Sequence, residues 1–177
     1  MELLKYKKKP AHIIMLCFAL IGLLVAVAAN VIAGIVIIVL FLVLAIVLYG
    51  KEKKAEAAFD SKVAELEAIG VLAPVKEDIA NGQAKIFKKL KLIVTPRAIV
   101  TADNTVNVIQ YTFFDRAFKT NIIAGDYKYD QQAIALVMND GNLFNMAVSP
   151  RSKSNKEFDD ALTAIRNFKG LYVGGEL

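Results

Sequence analysis

From Ala11 to Gly50 the chain carries 40 consecutive residues without an Asp, Glu, Lys or Arg, and the only strongly polar side chains among them are His12 at the edge and Asn30 in the middle. A helix crosses the hydrocarbon of a bilayer with about 20 apolar residues at about 1.5 Å each, so this run has material for two crossings. The pattern predicts a membrane α-helical hairpin with spans of about 12–29 and 31–49, each about 27 to 28 Å long, turning at Asn30. Lys5, Lys7, Lys8 and Lys9 precede the run, and Lys51, Lys53 and Lys54 follow it. Basic residues in short flanks stay on the cytoplasmic side, so both ends are expected inside, with Tyr6 and Tyr49 as interfacial anchors. The expected location is the plasma (inner) membrane, multi-pass, with the rest of the chain facing the cytoplasm.

Ala26-Val27-Ala28 resembles the end of a secretory signal peptide, but such a peptide lacks the long apolar continuation seen here. Ala19, Gly22, Ala26 and Ala29 recur at helical spacing along the first span. Small residues let membrane helices approach closely, so this stripe is expected to receive either the second helix or a second copy of the first, the latter making a homo-oligomer.

Residues 1–50 thus form a basic lead and anchor, leaving 51–177 for one domain with its own core. The net charge of +5 divides into +3 from residues 1–10 and +2 from 51–177, so the basic balance belongs to the membrane flank, and no nucleic-acid partner is expected. The single cysteine, Cys17, excludes an intrachain disulfide. No zinc spacing or phosphate-binding glycine motif is present, so no cofactor or metal is expected.

Residues 51–70 are rich in Ala, Glu and Lys, with Ala55, Phe59, Val63 and Leu66 on one face. This is an amphipathic stalk helix continuing the second span until Gly70 ends it. Beyond it, in 71–177, Pro74 and Asn81-Gly82 bracket a short helix. The segments KLKLIVT, RAIVTA, VNVIQY, AIALVM and LFNMAVS, separated by turn residues such as Asp103-Asn104 and Asp140-Gly141, then predict an antiparallel sheet. A helix closes the order: Ser154 and Glu157 have capping-box spacing, and Phe158, Leu162, Ile165 and Phe168 form its apolar stripe. An α+β soluble domain, or a partly open barrel closed by its C-terminal helix, satisfies this pattern.

The run from Lys89 to Asn121, with Thr95-Pro96-Arg97 at a strand end, a segment around Asp115, the Asp140-Gly141 hairpin and the closing helix, resembles the pleckstrin-homology-like (PH-like) domains of bacterial membrane proteins. The likeness covers roughly residues 83–169, and the stalk is similar to what precedes the domain in uncharacterised two-helix membrane proteins. It implies a PH-like sheet and lends partial support, by analogy, to an interaction role, while the lack of convergent acid–base or nucleophilic residues predicts a non-enzymatic protein. The segment NIIAGDYKYDQQ departs from the pattern and is expected to be an added edge strand or a loop.

His12, the only histidine, lies at the membrane edge, so no histidine-based acid–base arrangement is available to the soluble domain. Asp159 and Asp160 sit where a helix N-terminus favours acids. Between Asp78 and Asp103 there are no acids, while Lys85, Lys88, Lys89, Lys91 and Arg97 accumulate. Such a patch beside an anchor is expected to meet either membrane lipids or a protein partner. Three function classes follow: a membrane-anchored interaction module, a peripheral lipid or membrane-surface binder using the basic first strand, and a transporter or channel accessory subunit. The last is disfavoured by the absence of charge within the spans.

Overall fold

The computed structural model describes residues 4–5, 11–28, 31–103, 105–150 and 155–174. The chain divides into two units, Lys5–Ser61 and Lys62–Leu177 with Met1–Leu4.

The first unit is built on α1 (Ala11–Ala28) and the apolar part of α2 (Val31–Ala68). By length and composition α2 is able to cross a membrane, and α1 contributes a shorter apolar stretch, Ala11–Ala26. The helices run antiparallel, because contacts on α2 descend as those on α1 ascend. His12 Nδ1 lies 2.7 Å from Glu52 Oε2, Phe18 stacks on Phe41 with ring centroids 5.2 Å apart, and Gly22 faces Ile37. At the far end Gly34 lies against Ala26 so closely that a Cβ on it would overlap the Ala26 backbone. Ala19 and Gly22 are buried and Ala26 is half-buried, so these three of the four small residues face α2. Ala29, with Asn30, lies outside the described residues.

α2 continues unbroken past the apolar run, so the stalk is part of the same helix rather than a separate element. In the second unit, α3 (Leu72–Ala80) buries Leu72, Val75 and Asp78. Nine strands follow among the described residues. β1 (Lys85–Phe87), β2 (Leu92–Val94), β3 (Ala98–Ala102) and β4 (Val106–Gln110) make an antiparallel meander in chain order. After a 3-10 turn at Tyr111–Phe113, β5 (Phe114–Thr120) joins β8 (Gln131–Met138) and β9 (Leu143–Pro150) in a second antiparallel sheet of order β5-β8-β9. The departing segment is a small ribbon of its own, β6 (Ile122–Ile123) paired with β7 (Asp126–Tyr127). Asn121 secures its base, its side-chain amide donating to the carbonyls of Lys128 and Gln131.

Position in the sheet explains composition. β3 and the middle of β8, each flanked by two strands, are buried on both faces and read as near-continuous apolar runs. Asp140-Gly141 turns β8 into β9: Gly141 takes φ +84°, which a side chain resists, and donates to the Met138 carbonyl at 2.8 Å. The Asp140 carboxylate accepts from the Asn142 backbone N–H and then from its side chain, and these bonds lower its pKa.

α4 (Asn155–Gly174) is the lid on the core. Phe158, Ala161, Leu162 and Ile165 are buried against Leu92, Val94, Ile99, Ile134 and Leu136, with Phe168 partly buried beside them. Each large apolar side chain so buried contributes about 1.5 to 3 kcal/mol. The Glu157 carboxylate accepts from the Lys89 backbone N–H at 3.0 Å, tying α4 to the turn after β1; Ser154, the other half of the expected capping box, lies outside the described residues.

Candidate interaction surfaces

β5 pairs with β8 on one side and, among the described residues, with no strand on the other. The register shifts between Phe114 and Arg116, a bulge that turns the start of the strand. α4 runs beside this edge and caps it. Arg166 Nε donates to the Ala117 carbonyl at 3.0 Å, and Lys169 Nζ donates to the carbonyls of Tyr111 and Phe114 at 2.8 and 2.6 Å. Lys169 Nζ also lies 5.1 Å from the centroid of the Phe114 ring, a cation–π contact. A groove of about 720 Å³ follows the edge, lined by Asp115, Arg116, Ala117, Phe118, Arg166 and Lys169. It presents three cations and one carboxylate beside apolar surface.

The five basic residues singled out in the sequence do not form one patch. Lys91 pairs with Asp103. Arg97 reaches back to α3, donating through Nε to Asp78 at 2.9 Å and through Nη2 to Asp78, to Glu77 at 2.8 Å and to the Pro74 carbonyl at 2.8 Å. The bonds to Asp78 and then Glu77 raise the guanidinium pKa further, and with Asp78 buried the pair fastens α3 to the β2–β3 turn. The acids that bound the acid-free stretch are thus the ones that fold back onto it. Lys85, Lys88 and Lys89 remain exposed, without a side-chain acid partner among the described residues. Lys89 and Lys91 line a polar cavity of about 370 Å³ with Thr101, Thr105, Asn107 and Asn145.

Behind Arg97, Thr95 holds its turn by accepting from the N–H groups of Arg97 and Ala98. The Tyr111 hydroxyl donates to the Thr95 carbonyl at 2.8 Å, and burial, followed by the charge of Asp78, pushes its pKa up. These contacts place a rigid corner beneath the strand edge, since Tyr111 also supplies one of the carbonyls that Lys169 caps.

Sequence reasoning did not single out Arg116, Arg166 or Lys169. The signal for Arg166 and Lys169 was their place on the polar side of the α4 stripe, three residues apart, and therefore on one face. Nothing local distinguishes them from solvated helix cations. Among the described residues no three His, Cys, Asp or Glu side chains gather as a metal-ligand group. Comparison with protein-family models, with curated proteins and with solved structures finds no match.

Proposed function

We propose that this protein is a non-enzymatic, membrane-anchored interaction module, in which α1 and the apolar part of α2 cross the inner membrane as a hairpin and a PH-like domain faces the cytoplasm. The single observation that carries this reading is the outer edge of β5, which among the described residues has no strand partner and is held only by side chains of α4, beside a groove large enough for an extended segment. An unpaired strand edge offers main-chain hydrogen bonds, and a flanking groove offers side-chain contacts, the two elements of recognition by strand addition. The four-stranded meander, the three-stranded sheet and the closing helix support the PH-like reading through element order alone. The fold by itself does not name the partner.

A second reading rests on Lys85, Lys88 and Lys89, whose exposed side chains would each gain about 1 kcal/mol near an anionic leaflet. The two readings separate under site-specific photo-crosslinking of the full-length chain in native membranes. With the photoreactive residue at Arg116, a discrete protein adduct is expected. Adducts of phospholipid mass arising at Lys88, with none at Arg116, would favour the lipid surface and refute the module.

A further inference from the structure

We infer that the β5 edge selects an acidic extended segment, because the groups that cap it are cations that an incoming strand must satisfy before it pairs. This inference rests on the module reading and adds the chemistry of the partner.

The carbonyls of Phe114 and Ala117 already accept from Lys169 and Arg166. A strand docking here through its own N–H groups displaces those donors. A neutral strand returns the exposed Arg166 and half-buried Lys169 to water and gives them nothing in exchange for their bonds to the edge carbonyls, and hydrogen bonds to charged groups are the stronger ones to give up. A strand carrying carboxylates gives each cation a stronger partner than a carbonyl and frees the edge in the same movement. Geometry permits it: Arg166 and Lys169 stand about 4.5 Å apart along the helix axis, and alternate side chains on one face of a strand stand about 6.6 Å apart, within reach of two flexible cations. Arg116, exposed in the groove, adds a third positive charge against the single carboxylate of Asp115. The charge of the groove therefore complements an acidic ligand, and the cap keeps neutral strands off.

The test uses the full-length chain in nanodiscs of neutral lipid and three fluorescein-labelled ten-residue peptides, read by anisotropy at about 0.1 M salt, where surface fields are screened beyond about 10 Å. One peptide alternates Glu and Val, the second has Gln for Glu, and the third is the Glu peptide methylated on alternate backbone nitrogens. The Glu peptide is expected to bind at least about tenfold more tightly than the Gln and methylated peptides, a difference of about 1.4 kcal/mol or more. The double variant Arg166→Gln, Lys169→Gln is expected to bind the Glu and Gln peptides equally. Should that variant misfold, Arg116→Glu, which removes no bond to an edge carbonyl, is expected to weaken the Glu peptide alone. Equal binding of Glu and Gln peptides by the unaltered chain, undiminished binding of the methylated peptide, or loss of binding on Lys85→Gln, Lys88→Gln, Lys89→Gln instead would each overturn the inference. An Arg116 photo-adduct that the Glu peptide fails to displace would overturn the acid preference while leaving the module reading standing. Tight Glu-peptide binding without any such adduct in membranes would support the preference of the edge and count against the module reading.

Discussion

Leu162→Ala probes whether α4 is structural core. Leu162 is 7% exposed and packs with Phe158 and Ile165 against the sheet strands. The substitution removes three carbons at about 0.8 kcal/mol each, and the cavity left behind adds to this, for a total of about 2 to 5 kcal/mol. Because helices as apolar as α1 and the first part of α2 resist ordinary denaturants, the suitable readout is amide hydrogen exchange of the full-length chain in nanodiscs, followed in peptides from β2 and β8. In the regime where exchange tracks the opening equilibrium, that loss accelerates exchange by about 30-fold to several thousandfold, at tenfold per 1.4 kcal/mol. Asp159→Ala is the control. Its side chain is 59% exposed and meets Lys119 at 3.4 Å. Such a surface pair contributes about 0.2 to 1 kcal/mol, or a change of no more than about fivefold. Acceleration of β2 and β8 below fivefold in Leu162→Ala, or acceleration confined to α4 itself, would refute the reasoning that α4 and the strands form one cooperative core.

Gly34→Ala should open the helix pair, since the added methyl meets Ala26 backbone that has nowhere to go, at a cost of about 1 to 3 kcal/mol; Gly22→Ala should be milder because it meets Ile37 and Ile38 side-chain carbons. Cross-linking of Phe18→Cys to Phe41→Cys by a short bismaleimide, in a Cys17→Ala background, should fall in the first variant and persist in the second, and equal yields would argue against the tight approach. The proposed hairpin topology predicts that cysteines placed at Lys5 and at Asp130, again without Cys17, both resist an impermeant maleimide in intact cells, and labelling of just one of them would establish a single crossing.

What the sequence made legible follows from the range of the forces involved. The apolar stretch of α2, the α4 stripe and the Asp140-Gly141 turn are local patterns, and each appears in the structure where its residues lie. β1 and β5 were harder to see. β1 spans three residues with lysines on either side of its apolar pair, too short for alternation to show. In β5 the bulge at Asp115 places two exposed residues in succession between buried Phe114 and Ala117, which breaks the period of two. The charge pairing was illegible for another reason. Counting acids along the chain made 79–102 look uncompensated, yet Asp78 and Asp103 close on Arg97 and Lys91 from elements packed in three dimensions. The groove was invisible for the same reason, since its lining comes from β5 and from a helix some 50 residues later, as the bond from Arg166 to Ala117 shows.

The capping of β5 by α4 has a consequence for the chain during its synthesis. α4 follows β1 to β9 in the chain, so β5 and β8 leave the ribosome before Arg166 and Lys169 exist to occupy the carbonyls of Ala117 and Phe114. A bare strand edge is a template for another chain, and neighbouring nascent copies of one protein meet often. Premature stop codons between Pro150 and Arg166 would therefore leave the strands without both their apolar lid and their edge cap, prone to pair with copies of themselves, and such truncations should be found in aggregates or degraded rather than merely inactive.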